Sequence, residues 1–223
     1  MLERWITALH TEDAAAESPA ETRERLKSLF APGATRRMTQ LGLTLGATLQ
    51  PLAPCETDTV VYASTYAETR ALEAYLDSFP SPSPTLFQTS IHPSAVQQNL
   101  IQRQQPVREF LPLTGGSNLP AQALLAALLA DSPRVILCGG EERGSWLLDQ
   151  NRASERTFAF ALALSTNPSG AIARIRLSNT DDSPKSCLFT PFPLPVFFNH
   201  LLARLNFDAV VSPGRRLQLT WLA

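Results

Sequence analysis

Charge is scarce in this chain: only 17% of its 223 residues are Asp, Glu, Lys or Arg, against about 25% in an average soluble domain. The 19 basic and 20 acidic residues leave a formal net charge of -1. That balance excludes a general nucleic-acid binder, because counterion release needs clustered Lys and Arg. Histidine and cysteine are equally sparse, with three of each. Cys55, Cys138 and Cys187 lie far apart, and no C-x-x-C or H-x-x-x-H spacing occurs. Neither a local zinc site nor a disulfide framework has support, and no metal or other cofactor is expected. The thiols read as buried or half-buried groups of a reducing compartment. His10, His92 and His200 stand alone and would have to converge through folding to act together.

Long hydrophobic runs are also missing. Residues 121–130 form one of the longest apolar stretches, well short of the roughly 20 residues a spanning helix needs. Trp5, Ile6, Ala8 and Leu9 make the N-terminus apolar, but Glu3, Glu12, Asp13 and Glu17 surround them. This is not the basic n-region and long h-region of a signal peptide. A cytoplasmic protein without a membrane span is expected. What is present is apolar: 44% of the residues, too many for general disorder. The low charge has two open explanations, a buried partner interface or a quota filled by the 18 prolines and by small residues.

Residues 1–35 read as an N-terminal extension, in which 22–30 forms a short charged helix stopped by Pro32 and Gly33. Residues 36–223 read as one domain. The spacing of Met38, Leu41, Leu45 and Leu49 predicts a helix over 36–50, with Gly42 and Gly46 permitting close approach. Residues 59–64 predict a buried strand, and 66–79 a helix with Leu72, Tyr75, Leu76 and Phe79 on one face. The prolines of 80–84 make a stiff loop. A helix over 93–103, a strand over 107–113, a tight turn at 114–118 and an apolar helix over 119–130 follow. Residues 134–138 predict a buried strand ending at Gly139 and Gly140. Strands at 157–165 and 171–178 read as a hairpin joined by the turn at 167–170, followed by a helix over 194–205 and a strand over 216–222. The alternation predicts an α/β fold with a mixed sheet covered by helices.

The turn between strand 107–113 and helix 119–130 is the most informative segment. Enzymes place nucleophiles at such turns, where a helix N-terminus stabilises a thiolate or oxyanion. Thr114, Gly115, Gly116, Ser117 and Asn118 nearly complete G-x-S-x-G, but Leu119 stands where the last glycine belongs. A serine hydrolase would use Ser117 with His200 as base and Asp181, Asp182 or Asp208 as orienter. The simpler reading is that Ser117 and Asn118 cap the helix. Glu141 and Glu142 read as a solvated turn rather than an acid–base pair. Arg36–Arg37 and Arg215–Arg216 read as solvated basic pairs, though either would suit an acidic carrier protein.

In order along residues 83–146, these pieces resemble the β-ketoacyl synthase family. Residues 83–92 resemble the segment before the helix at the family's dimer edge, and 107–113 the strand leading to its active-site turn. Thr114-Gly-Gly-Ser stands where the family has Thr-Ala-Cys-Ser. Residues 121–130 match the buried nucleophile helix, and 135–140 the strand ending in Ala-Gly-Gly. The resemblance implies a thiolase-like fold, the N-terminal half of a ketosynthase. It places Gly116, or Gly115 with a one-residue slip, at the nucleophile position, so neither residue has a side chain to acylate. No H-G-T-G-T run is present, and the family's two catalytic histidines lie in a second half not found here. Condensation needs a thiolate and oxyanion donors, so the resemblance implies no enzyme activity.

Ketosynthase-like subunits without a nucleophile are chain-length factors, and the half-size form is similar to those of aryl polyene biosynthesis. This implies a heterodimer with an active ketosynthase, served by an acyl carrier protein. Val107, Arg108, Glu109, Phe110, Leu111, Pro112 and Leu113 are then expected at the partner interface, pairing strand to strand. Leu86, Phe87, Ser90 and Ile91 are expected beside the partner's acyl tunnel. The reading left beside these is a stand-alone acyl-binding or scaffold module.

Overall fold

A computed structural model describes residues 2–179, 191–212 and 214–222. The strands are β1 (Leu2–Asp13), β2 (Thr59–Ala63), β3 (Glu109–Leu113), β4 (Arg134–Glu141), β5 (Phe158–Ser165), β6 (Ala173–Asn179), β7 (Phe207–Ser212) and β8 (Arg215–Trp221). The helices are α1 (Pro19–Leu26), α2 (Gln40–Leu49), α3 (Thr69–Asp77), α4 (Pro84–Ser90), α5 (Ser94–Gln102), α6 (Leu119–Leu129), α7 (Trp146–Asp149) and α8 (Leu194–Leu202). The strands form one eight-stranded mixed sheet in the order β3-β2-β4-β5-β1-β6-β8-β7. β2 runs parallel to both β3 and β4, and the remaining pairings are antiparallel.

Sequence pattern and burial agree at the centre of the sheet. β2, β4 and β5 are nearly continuous apolar runs because helices cover both of their faces. On one face Val61, Leu137, Phe160 and Leu162 pack with α6 and α8. On the other, Val60, Tyr62, Ile136 and Ala161 pack with α2 and α5. Phe158 stacks on Phe198 at 4.5 Å, and Phe160 meets Phe197 edge-on at 5.5 Å, tying α8 to β5. β6 alternates instead, with Ala173, Ile175 and Leu177 buried and Arg174 and Arg176 half-buried between them, as expected of a strand covered on one side. Close approach at α2 is real: a Cβ on Gly46 would lie 2.2 Å from Asn99 Oδ1.

Three expectations need correction. First, residues 1–35 are not appended to the fold, because β1 lies between β5 and β6 and pairs with both. Arg4 within β1 is 4% exposed and gives its guanidinium hydrogens to the carbonyls of Ser132 and Ala130, so its charge does not mark a solvated segment. Second, β5 and β6 are not a hairpin. Each is antiparallel to β1 and they therefore run parallel, with residues 166–172 stepping across the intervening strand. Third, β4 continues through Gly139 and Gly140 to Glu141. The glycines are needed inside the strand, since a Cβ on them would lie 2.5 Å from the Ala63 carbonyl oxygen and 2.3 Å from that of Phe158. α4 and β7 had no sequence expectation. Pro84 opens α4, and Ser83 caps it by accepting the Leu86 N–H, a start signal that the flanking prolines masked.

Candidate functional site

Three features lie along the stretch of chain from β2 to α6. The first is the turn before α6. Gly115 and Gly116 lie there with no side chain, and neither has a left-handed φ. A Cβ on Gly116 would meet nothing within 4 Å, and one on Gly115 would meet Gln122 Oε1 at 3.4 Å. Space for a larger residue therefore exists at Gly116. Gly116→Ala is expected to stabilise the fold by about 0.4–1 kcal/mol through the unfolded chain alone, read as a rise in the denaturant midpoint. Cys138 is fully buried in β4, and burial pushes its thiol well above the ordinary range.

The hydrolase constellation is not assembled among the described residues. Ser117 is exposed, and its carbonyl accepts the Phe192 N–H at 2.7 Å. His200 sits edge-on to Phe192 at 4.9 Å, with Nδ1 buried and unpartnered. No hydrogen bond joins Ser117 to His200. Asp208 accepts from Arg216 and Gln218, both at 3.4 Å. Asp181 and Asp182 lie outside the described residues. Asn118 makes no side-chain cap on α6, contrary to the simpler reading of that residue.

The second feature is a free sheet edge. Among the described residues β3 ends the sheet and pairs with β2 alone. Glu109 and Pro112 are exposed, and Phe110, Leu111 and Leu113 are half-buried. Val107 is half-buried and Arg108 exposed just before it. An open edge invites a further strand, and Pro112 limits which of its positions donate to one.

The third feature is α3 and α4, in the excursion between β2 and β3. The sequence gives α3 one apolar face, and the structure turns that face outward. Leu72, Leu76 and Phe79 are exposed, while Ala71 and Glu73 face in. α4 adds Phe87 at 48% exposure, and Ile91 follows at 46%; Leu86 and Ser90 are half-buried. Tyr75 joins the helices through ring contacts of 5.4 Å with both Phe79 and Phe87. Helical spacing reveals that such a face exists but not whether it points to core or solvent.

Buried carboxylates hold this excursion in place. Glu141 and Glu142, expected in a solvated turn, are 0% and 1% exposed. Glu141 accepts the N–H groups of Thr65 (2.6 Å) and Tyr66 (3.1 Å) and the Ser64 hydroxyl (3.1 Å). Glu142 accepts the N–H groups of Leu41 (3.3 Å) and Arg70 (3.1 Å). Burial pushes both carboxyls up to about 7 despite those donors. Glu73 is also buried, but N–H groups of Leu147 and Ser145 and the Ser145 hydroxyl outweigh burial and hold it below the usual carboxylate range. Glu68 accepts the Ala95 N–H at 2.9 Å. Among the described residues no cluster fit to hold a metal occurs, and no helix is long and apolar enough to cross a membrane.

No family model matches the chain, and no curated protein matches it. Solved structures do. A ketosynthase (ApeO) in complex with its chain length factor (ApeC) from Xenorhabdus doucetiae aligns with a TM-score of 0.67 at 19% identity, covering 99% of this chain and 100% of the matched one. The ishigamide ketosynthase/chain length factor aligns at 0.55 and 13% identity, over 81% of this chain and 68% of that one. A β-ketoacyl synthase from Burkholderia phymatum aligns at 0.59 and 13% identity, over 85% and 67%. The mixed sheet and its helices thus have the thiolase-like fold of the ketosynthases and their chain length factors.

Proposed function

We propose that this chain is a non-catalytic chain-length factor that pairs with an active β-ketoacyl synthase and shapes its acyl tunnel. The process would be type II polyketide-like biosynthesis, of aryl polyene type. The observation that carries this reading is the outward apolar face of α3 and α4, in the excursion that leads to the open strand β3. An exposed patch of this kind on a folded chain marks an interaction site. The end-to-end match to a chain of a complex between a ketosynthase and its chain length factor supports the choice of partner.

In this reading, residues 107–113 pair with the partner's edge strand, extending the sheet across the interface. Leu86, Phe87, Ser90 and Ile91 meet the partner near its acyl tunnel, and the exposed Phe87 ring blocks the far end. The glycines at the turn leave this subunit without a nucleophile. The partner supplies the thiolate and oxyanion donors, and the carrier protein delivers acyl groups to the pair. Phe87→Ala is expected to lengthen the product by one or more extender units in the reconstituted system, read by mass spectrometry. Unchanged product length would remove the tunnel role and leave the pairing role standing. No labelling of Ser117 by a fluorophosphonate is expected, and labelling abolished by Ser117→Ala would replace this reading with a hydrolase.

A further inference from the structure

A cavity of about 420 Å³ opens between α1, the turn Ala34–Arg37, the start of α2, and α3 and α4. Its lining combines four arginines, Arg23, Arg36, Arg37 and Arg70, with an apolar wall that includes Met38, Ala74 and Leu86. The charges are unevenly matched. Arg70 pairs with Glu73 at 3.0 Å. Arg23 donates to neutral acceptors, the carbonyls of Thr35 (3.4 Å) and Met38 (3.3 Å). Among the described residues, Arg36 and Arg37 meet no carboxylate. Glu142 also lines the cavity, but it is committed to the Leu41 and Arg70 N–H groups.

The cavity therefore gathers positive charge that the chain does not neutralise. Guanidinium forks fit phosphate and carboxylate oxygens. An inorganic anion would leave the apolar wall unused, and an apolar molecule would leave the guanidinium groups without a counter-charge. We propose that this cavity binds a small organic anion, a phosphate or carboxylate head on an apolar stem. The head lies at Arg36 and Arg37, with Arg23 behind them, and the stem runs along Met38, Ala74 and Leu86. The volume falls within the roughly 300–1,000 Å³ of pockets that enclose such ligands. Simple acyl amphiphiles and coenzyme A thioesters share this chemistry.

Calorimetric titration of the full chain tests the site with octyl phosphate, octanoyl-coenzyme A and inorganic phosphate. One saturable site per chain is expected for at least one of the amphiphiles, about tenfold or more tighter than inorganic phosphate. Tighter binding of octanoyl-coenzyme A assigns the site to thioesters, and tighter binding of octyl phosphate assigns it to simple amphiphiles. Arg36→Ala with Arg37→Ala is expected to weaken amphiphile binding about tenfold or more, the loss of charge-assisted hydrogen bonds. Ala74→Phe fills the apolar wall without touching an arginine and is expected to block the stem. All three positions are exposed, so the fold, followed by circular dichroism, is expected to persist. Absence of saturable amphiphile binding, or binding unchanged in both variants, overturns the proposal. So does capture of an acidic carrier protein through Arg36 and Arg37 with no binding of either amphiphile.

Discussion

Replacing Leu76 and Phe79 together with aspartate is expected to leave the isolated chain folded and to weaken its association with a ketosynthase by about a hundredfold or more. Both side chains are exposed, at 40% and 54%, so the folded monomer loses little by the change. At an interface the balance differs. Burying a large apolar side chain contributes about 1.5–3 kcal/mol, and an unpaired aspartate in the same place adds a desolvation cost. Two such positions together exceed the roughly 2.7 kcal/mol that a hundredfold change in affinity requires. The control is Leu202→Asp, on α8 and 46% exposed, outside both the α3–α4 face and residues 107–113. An equal loss from the control would show that charge alone, and not this face, governs association. The comparison is made by biolayer interferometry against the immobilised ketosynthase.

The second large effect is on stability against pH. Glu141 and Glu142 are raised to about 7 by burial, whereas an unfolded glutamate titrates near 4.3. Between those values the native chain binds more protons than the unfolded one. Stability therefore falls as pH rises from about 4.5 through 7, by up to about 3 kcal/mol for each carboxyl. Below that window the opposite sign takes over. Asp13 is held low by hydrogen bonds from Arg156, and Glu73 by the donors around Ser145; each loses its contribution as it protonates. The unfolding free energy is expected to peak at about pH 4.5. Urea unfolding from pH 4 to 9 measures the profile. Glu142→Gln is expected to flatten the slope above pH 5, because one of the two groups that produce it is gone. A wild-type profile that rises from pH 5 to 8 would contradict the burial argument.

What the residues disclose about the fold depends on how local the cause is. β2, β4 and α6 are legible because their apolar runs state that both sides are covered. The glycine pair in the turn before α6 is legible because a missing side chain is a fact of sequence. β1 is not, because its place between β5 and β6 is a non-local pairing and its buried Arg4 looks like a solvated charge. For the same reason β5 and β6 imitate a hairpin: a short turn-rich connection serves equally well to step across a neighbouring strand. Glu141 and Glu142 look solvated because nothing in the sequence shows the backbone N–H groups of Leu41, Thr65, Tyr66 and Arg70 folding over them. The site is legible in part. Its glycine pair and the strand after residue 107 can be read directly. The outward turn of Leu72, Leu76 and Phe79 cannot, because periodicity fixes a face and not its direction.

Pairing with a ketosynthase is the central claim, and native mass spectrometry of the chain co-expressed with a ketosynthase encoded beside it tests that claim most directly. A one-to-one heterodimer that dissociates on introduction of the Leu76→Asp and Phe79→Asp substitutions is the expected result. A chain that stays monomeric in the presence of that ketosynthase, or that associates only with itself, would contradict it.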